Sequence, residues 1–316
     1  MGAPEAFHKV DFAARPTTTA PMQAVIPFPN ISPELIAFDI AGFNLAIRWY
    51  ALAYIAGILV AWRLALWVVG RPTLWPAGIA PMTREQVEDY LTWAILGIIL
   101  GGRLGFVLFY QPGYYMANPA EILAVWQGGM SFHGGLLGVV IASYIYARRH
   151  KLALLSTTDL IALCVPPGIF FGRIANFTNG ELWGRPSLVP WAVAFPGARA
   201  QDCPPEFGIP CGRHPSQLYE AGLEGLVLGL LLLYLATRMG WLRHPGQIAA
   251  VFFAGYGAAR FFVEYYRLAD AQFITAGNPL GHVLALGPLG ITMGQLLSLP
   301  MIAVGIGLWI LSKRAK

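Results

Sequence analysis

The chain has 316 residues, 56% of them apolar and only 12% charged, with a mean hydropathy of +0.57. Soluble domains carry roughly 25% charged residues, so a water-exposed globule is excluded, and so is a disordered chain, which needs the opposite composition. The net charge of +5 sits in short basic clusters between apolar runs, which fits membrane topology better than nucleic-acid binding. Three cysteines without CxxC or Cys/His spacing predict neither a disulfide scaffold nor a metal site.

In chain order, residues 1–24 hold no apolar core and no cleavage site, so they do not read as a secretory signal peptide, and the first span must direct insertion itself. Between 36 and 47 the series Phe38, Ile40, Gly42, Phe43, Leu45, Ile47 alternates around a glycine, which predicts a small extended or hairpin element at the interface. Residues 1–46 are therefore expected to form a tail and interfacial element on the outer side, with the membrane domain over 47–316. Seven runs are apolar enough to cross a hydrocarbon core, which takes about 20 residues: 47–69, 90–110, 132–147, 158–177, 218–237, 248–266 and 291–311. The third is the shortest and is expected to begin inside 126–131. Gly101, Gly102, Gly134, Gly135, Pro166 and Pro167 fall within these runs, where membrane helices tolerate them. The predicted class is an all-α integral membrane protein.

Orientation follows from the basic residues. Arg71, Arg84, Arg148, Arg149, Lys151, Arg238, Arg243, Lys313, Arg314 and Lys316 all fall on one side, whereas the loop 111–129 has none. This predicts a cytoplasmic C-terminus, an outer N-terminus and an outward loop at 178–217. Within that loop Cys203 and Cys211 lie among four prolines, and both a disulfide and free thiols are open. Cys164 lies mid-span, where a small apolar role is expected.

Four arginines fall within the spans: Arg63, Arg103, Arg173 and Arg260. Facing lipid, each would cost about 2.5–3.5 kcal/mol at a helix centre, so an inward orientation is expected. Arg63 is close enough to the cytoplasmic end to snorkel. Arg103, in Gly-Gly-Arg-Leu-Gly, is open to an ion pair or a functional role. The segment 172–185 is the most polar in the chain, with Arg173, Asn176, Asn179, Glu181 and Arg185 among glycines. Forked guanidinium donors and approachable backbone amides suit an anionic headgroup, although a helix-ending loop would have similar composition. In the sixth span Tyr256, Arg260, Glu264 and Arg267 are spaced by four, four and three residues, within about an 80° arc. A self-neutralising Arg260–Glu264 pair is the simpler reading, and a lined cavity the fuller one. His133 opens the third span, as an anchor or as a proton-transfer group.

These segments together resemble the bacterial prolipoprotein diacylglyceryl transferases. The resemblance rests on GRIANFTNGELWG (172–184), with IRWYALAY (47–54), GGMSFHGGLLG (128–138), RHPSQLYEA (213–221) and YGAARFFVEYYR (256–267) in the family's order. It implies seven transmembrane helices with a small periplasmic head, in the bacterial cytoplasmic (inner) membrane. The implied substrates are phosphatidylglycerol and the lipobox cysteine in the signal peptide of a prolipoprotein; a thioether forms and glycerol 1-phosphate leaves. No metal, nucleotide or other cofactor is implied, and no nucleic acid partner.

The family's important positions carry over to Tyr50, His133, Arg173, Asn176, Glu181, Gly184, Tyr256, Arg260, Glu264 and Arg267. His133 is the expected thiol base, since a free thiol near pKa 8.5 is mostly protonated at neutral pH. Arg173 is expected to bind the phosphate and Arg260 to stabilise its departure, oriented by Glu264. Asn176, Glu181, Gly184 and Arg267 complete the lipid-binding set, and Tyr50 and Tyr256 are expected to hydrogen-bond substrate. Ala175 departs from the glycine of many members, the tail before about residue 31 is extended, and the loop carries its own cysteine pair. The rival reading, a small-anion or lipid transporter with an arginine-lined path, predicts internal repeats, and 172–184 has no second copy. An intramembrane protease is disfavoured by the lack of GxSxG, HExxH or paired-aspartate motifs.

Overall fold

A computed structural model describes residues 25–314 apart from 33, 41, 42, 276, 287 and 288; the N-terminal tail 1–24 lies outside the described residues. Strand β1 (Ile26–Pro27) is followed by β2 (Glu34–Ile40) and β3 (Phe43–Arg48), which pair antiparallel with Ile36 opposite Ile47, as the alternation predicts. The hairpin runs straight into α1 (Trp49–Val69). Next come α2 (Arg84–Phe109), the short α3 (Pro112–Ala117), α4 (Phe132–Arg149) and α5 (Leu154–Thr178). The segment after α5 contributes β4 (Val193–Ala194), parallel to β1, and α6 (Ala198–Gln201). Helix α7 (Ser216–Glu220) passes through a π-helical segment, Ala221–Val227, into α8 (Leu228–Thr237). Last are α9 (Gln247–Val263), a hairpin of β5 (His282–Leu286) and β6 (Leu289–Thr292), and α10 (Met293–Arg314).

Among the described residues, five helical segments are long and apolar enough to cross a membrane: Trp49–Val69, Arg84–Phe109, Leu154–Thr178, Ser216–Thr237 and Met293–Arg314. They coincide with five of the predicted runs. The other two runs form α4 and the shorter apolar α9. The β5–β6 hairpin is an addition to the all-α expectation. Two boundaries also differ. α4 does not begin inside 126–131, because Gly128 and Gly129 take positive φ and break the helical path. Ser131 then caps α4 by accepting the Gly134 amide. α9 ends at Val263 rather than 266, so Glu264 and Arg267 lie on the turn that follows.

α5 is the central element, packing on α1, the π segment and α9. Its N-terminal half joins the main apolar core, with Val68, Trp75, Tyr146, Leu163, Leu232 and Ile248. Asp159 of α5 is fully buried and accepts the Gly246 and Ala249 amides at 2.6 and 2.8 Å, so it serves the α9 N-terminus. The C-terminal half, beyond Pro166 and Pro167, carries the polar run. Where the π segment crosses it, a Cβ on Gly225 would lie 2.8 Å from Phe170 Cα, so only glycine allows this approach.

α2 and α4 pack through small residues, as in many membrane helix pairs. Gly97, Gly101 and Gly105 face Gly134 and Gly138 so closely that a Cβ on Gly138 would overlap the Gly97 carbonyl and reach 2.8 Å from Gly101 Cα. Gly138→Val is expected to cost about 2 kcal/mol or more by forced separation. The check is thermal unfolding of the purified protein in detergent, where an unchanged midpoint would refute the close contact.

Arg103 is buried on this pair and forms no ion pair among the described residues. Its guanidinium donates to the carbonyls of Glu121, Ile122, Gly128 and Gly129, tying down the loop that precedes α4. Arg63 is exposed, with no ion pair among the described residues.

Candidate active site

Three guanidinium groups converge on one carboxylate. Glu220, the last residue of α7, is 0% exposed; its Oε2 pairs with Arg173 Nε at 3.1 Å, and its Oε1 with Arg260 Nη1 at 3.3 Å and with Arg267 Nη1. The three arginines come from the end of α5, from α9 and from the turn after it. Glu264 closes the cluster: its Oε2 lies 2.8 Å from Arg260 Nη1 and 3.6 Å from Arg267 Nε. A buried carboxylate is costly alone and tolerable only when paired, and here the three cations supply the pairing.

The carboxylates do not consume the arginines. Arg260 Nε and Nη2, Arg173 Nη2 and Arg267 Nη2 have no protein hydrogen-bond acceptor among the described residues. The three guanidinium-bearing side chains keep 15–23% exposure, while Glu220 lies behind them with none. The arrangement is a buried acid presenting forked donors toward an opening, which suits a phosphate.

Glu264 is itself placed by α10. Thr292 and Gln295 cap that helix reciprocally, each side chain accepting the other's amide, and Thr292 Oγ1 donates to Glu264 Oε1 at 3.1 Å. The carboxylate lies against Gly294, where a Cβ would come within 2.6 Å of Oε1. The helix N-terminus favours the negative charge there. Gly294→Ala is therefore expected to displace Glu264 and lower turnover about a hundredfold, the scale of a 1 Å misplacement, with membrane insertion retained. Adding Glu264→Asp, which is one methylene shorter, should recover part of the loss. A fully active Gly294→Ala would remove Glu264 from the arrangement. On the far side of Glu264 a cavity of about 200 Å³ is lined by Arg185, His282, Thr292 and Gln295.

The polar run folds against this cluster. Arg173 Nη1 donates to Asn176 Oδ1 at 3.4 Å, and Asn176 Nδ2 to Glu181 Oε1 at 2.9 Å. Gln217 donates to the Glu181 carbonyl, and Ser216 to that of Leu182, which holds φ at +57°, a region non-glycine residues avoid. Tyr50 bonds Tyr54 at 3.0 Å and reaches Asn176 and the field of Glu181. Tyr256 lies within electrostatic reach of Arg173, Arg260, Glu220 and Glu224.

Two expected members stand differently. Gly184 offers no free amide to a lipid phosphate: its N–H donates to the His214 carbonyl at 2.9 Å, and a Cβ would lie 2.8 Å from that same oxygen. It is a packing point where the segment between α5 and α7 crosses the turn after α9, and Arg213 fixes this crossing through the Gly184, Ala200 and Asp202 carbonyls. His133 is exposed on the first turn of α4, its ring against Phe132, with no hydrogen bond or ion pair to the guanidinium cluster among the described residues. Burial lowers the pKa of His214, which shares a hydrogen bond with Tyr219. Cys203 and Cys211 are joined in a disulfide within the segment between α5 and α7.

Sequence reasoning missed Glu220 and its neighbour Glu224. Both are fully buried, and both Glu224 oxygens lack hydrogen-bond partners among the described residues, although Arg173, Arg260 and Arg267 lie within electrostatic reach. The signal was present in RHPSQLYEA: a glutamate opening an apolar span, with no basic residue three or four positions away on its own helix, must find its cation elsewhere. The π turn follows directly after Glu220, and such turns recur at functional sites.

Comparison with known proteins follows the same segments. The family profile described as prolipoprotein diacylglyceryl transferase matches residues 35–311. A phosphatidylglycerol–prolipoprotein diacylglyceryl transferase of Roseobacter denitrificans is 62% identical over 292 residues, covering 92% of this chain and 98% of that protein. Its counterpart in Ruegeria pomeroyi is 63% identical over 295 residues, covering 93% and 99%. One from Rhizobium meliloti is 47% identical over 296 residues, covering 94% and 96%.

Proposed function

This chain belongs to the prolipoprotein diacylglyceryl transferase family, and we infer that it moves the diacylglyceryl group of phosphatidylglycerol onto the lipobox cysteine of a prolipoprotein signal peptide. The thiol sulfur forms a bond to the glyceryl carbon, the carbon–oxygen bond to phosphate breaks, and the electron pair leaves on glycerol 1-phosphate. The single observation supporting this most directly is the guanidinium trio braced by Glu220 with its outer donors free, because the reaction's developing charge is on that phosphate.

Arg173 grips the phosphate of bound lipid together with Arg267. Arg260, with two unengaged donor nitrogens, stabilises the departing phosphate, and Glu264 holds it in orientation. Asn176 and Glu181 fix the glycerol headgroup, while Tyr50 and Tyr256 hydrogen-bond substrate. The long helices with α4 and α9 make a seven-span bundle of the bacterial inner membrane, N-terminus outside and C-terminus cytoplasmic. The outward loop 178–217 forms a small periplasmic head, and residues 1–46 the tail and interfacial element before the 47–316 transferase domain.

The test is a lipidation assay: purified protein, phosphatidylglycerol vesicles and a lipobox peptide should yield a diacylglyceryl thioether, and transport without transfer would overturn the reading. In that assay His133→Gln is expected to lower the rate about a hundredfold if the imidazole takes the thiol proton. A near-normal rate would assign His133 to anchoring.

A further inference from the structure

A cleft of about 790 Å³ lies at the opposite end of the bundle from the guanidinium cluster. It opens where α4 ends and α5 begins, and its lining includes Arg148, Lys151, Leu152, Leu155, Ser156 and Pro245. The α5 N-terminus faces it uncapped. Ala153 at the cap position has no side-chain acceptor, and the first helical bond closes only from the Thr157 amide to the Ala153 carbonyl. The Leu154, Leu155 and Ser156 amides therefore have no partner among the described residues. Such a terminus attracts anions through its amides and its dipole.

Independent features of the cleft point the same way. Ser156 is 5% exposed, lines the cleft, and its hydroxyl has no hydrogen-bond partner among the described residues. Arg148 and Lys151 are exposed and form no ion pair there. Asp159, one turn into α5, is turned away onto the α9 N-terminus, and Asp89 of α2 lies 3.9 Å from His150. Leu154, Leu152 and Leu155 form an apolar wall beside the polar donors, which matches a headgroup joined to acyl chains rather than a freely soluble anion.

We propose that this cleft binds the phosphate of an anionic lipid from the leaflet opposite the reaction site. The pocket is separate from the transferase centre and stands without that reading. Basic pockets between helices are general receivers of such headgroups.

The experiment titrates the full chain in detergent with phosphatidic acid, with phosphatidylcholine of the same acyl chains, and with inorganic phosphate, read by native mass spectrometry. The wild-type chain should hold one more phosphatidic acid than Ala153→Asp, whose carboxylate supplies the missing cap, keeps the helix start intact and repels the ligand. Arg148→Gln with Lys151→Gln should weaken that extra site about thirtyfold, the worth of two cations at a headgroup. Lipidation activity should be unchanged in both variants. Displacement of the extra lipid by inorganic phosphate at similar concentration would support the phosphate site and name the free anion as its source. The proposal is overturned if Ala153→Asp retains the wild-type complement, or if phosphatidylcholine binds as well as phosphatidic acid.

Discussion

Glu220→Gln is expected to abolish transfer and to destabilise the protein by about 3–5 kcal/mol, the scale of breaking a buried ion pair. The amide preserves shape, so the loss is of charge alone. Arg260 and Arg267 would then share Glu264 as their only ion-paired carboxylate among the described residues, and Arg173 would lose its one ion-pair partner. Mutual repulsion should drive the side chains apart and scatter the donors that meet the phosphate. Glu220→Asp restores the charge but not the reach, because one methylene less cannot touch α5, α9 and the following turn together; it should fold better than the glutamine variant and remain poorly active. The checks are the unfolding midpoint in detergent and the lipidation rate. A glutamine variant that keeps both would show that the arginines are positioned by something else.

Arg260→Lys is expected to be nearly as damaging as Arg260→Ala, with turnover lowered about a thousandfold, the upper scale for losing a donor aimed at developing charge. Arg260 spends Nη1 on both Glu220 and Glu264 and has Nε and Nη2 left for the phosphate. A lysine ammonium is one compact centre and cannot satisfy two buried carboxylates and a ligand in a single plane. Arg173 offers the useful contrast. It braces Asn176 and the polar run, so Arg173→Lys should raise KM more than it lowers kcat, whereas Arg260→Lys should do the reverse. Equal effects on both constants in both variants would merge the two roles, and normal turnover in either would remove that arginine from the chemistry.

The positions carried over from the family divide accordingly. Arg173, Arg260, Arg267, Glu264, Asn176, Glu181, Tyr50 and Tyr256 form a connected set. Gly184 serves close packing, and His133, on the first turn of α4, has no hydrogen bond or ion pair to the cluster among the described residues.

Much of this was legible in the amino-acid order because the signals are local. An apolar run long enough to span, an alternation around Gly42, and four polar residues recurring on one face of the sixth span each depend only on near neighbours. The insertion cost of an in-span arginine likewise says that Arg173 and Arg260 turn inward, whatever they meet. What they meet is a non-local matter. Glu220 stands 47 residues from both Arg173 and Arg267, and only the packing of α5, α7 and α9 brings the three together. The same holds for Gly294 against Glu264 and for the amide of Gly184 spent on His214. Each is a contact between segments whose spacing in the chain carries no trace of their distance in space. Sequence thus decided that buried positive charge had to be accommodated; tertiary packing decided which acid accommodates it and which donors are left for a ligand, because pairing a charge inside a membrane depends on geometry across helices rather than along one.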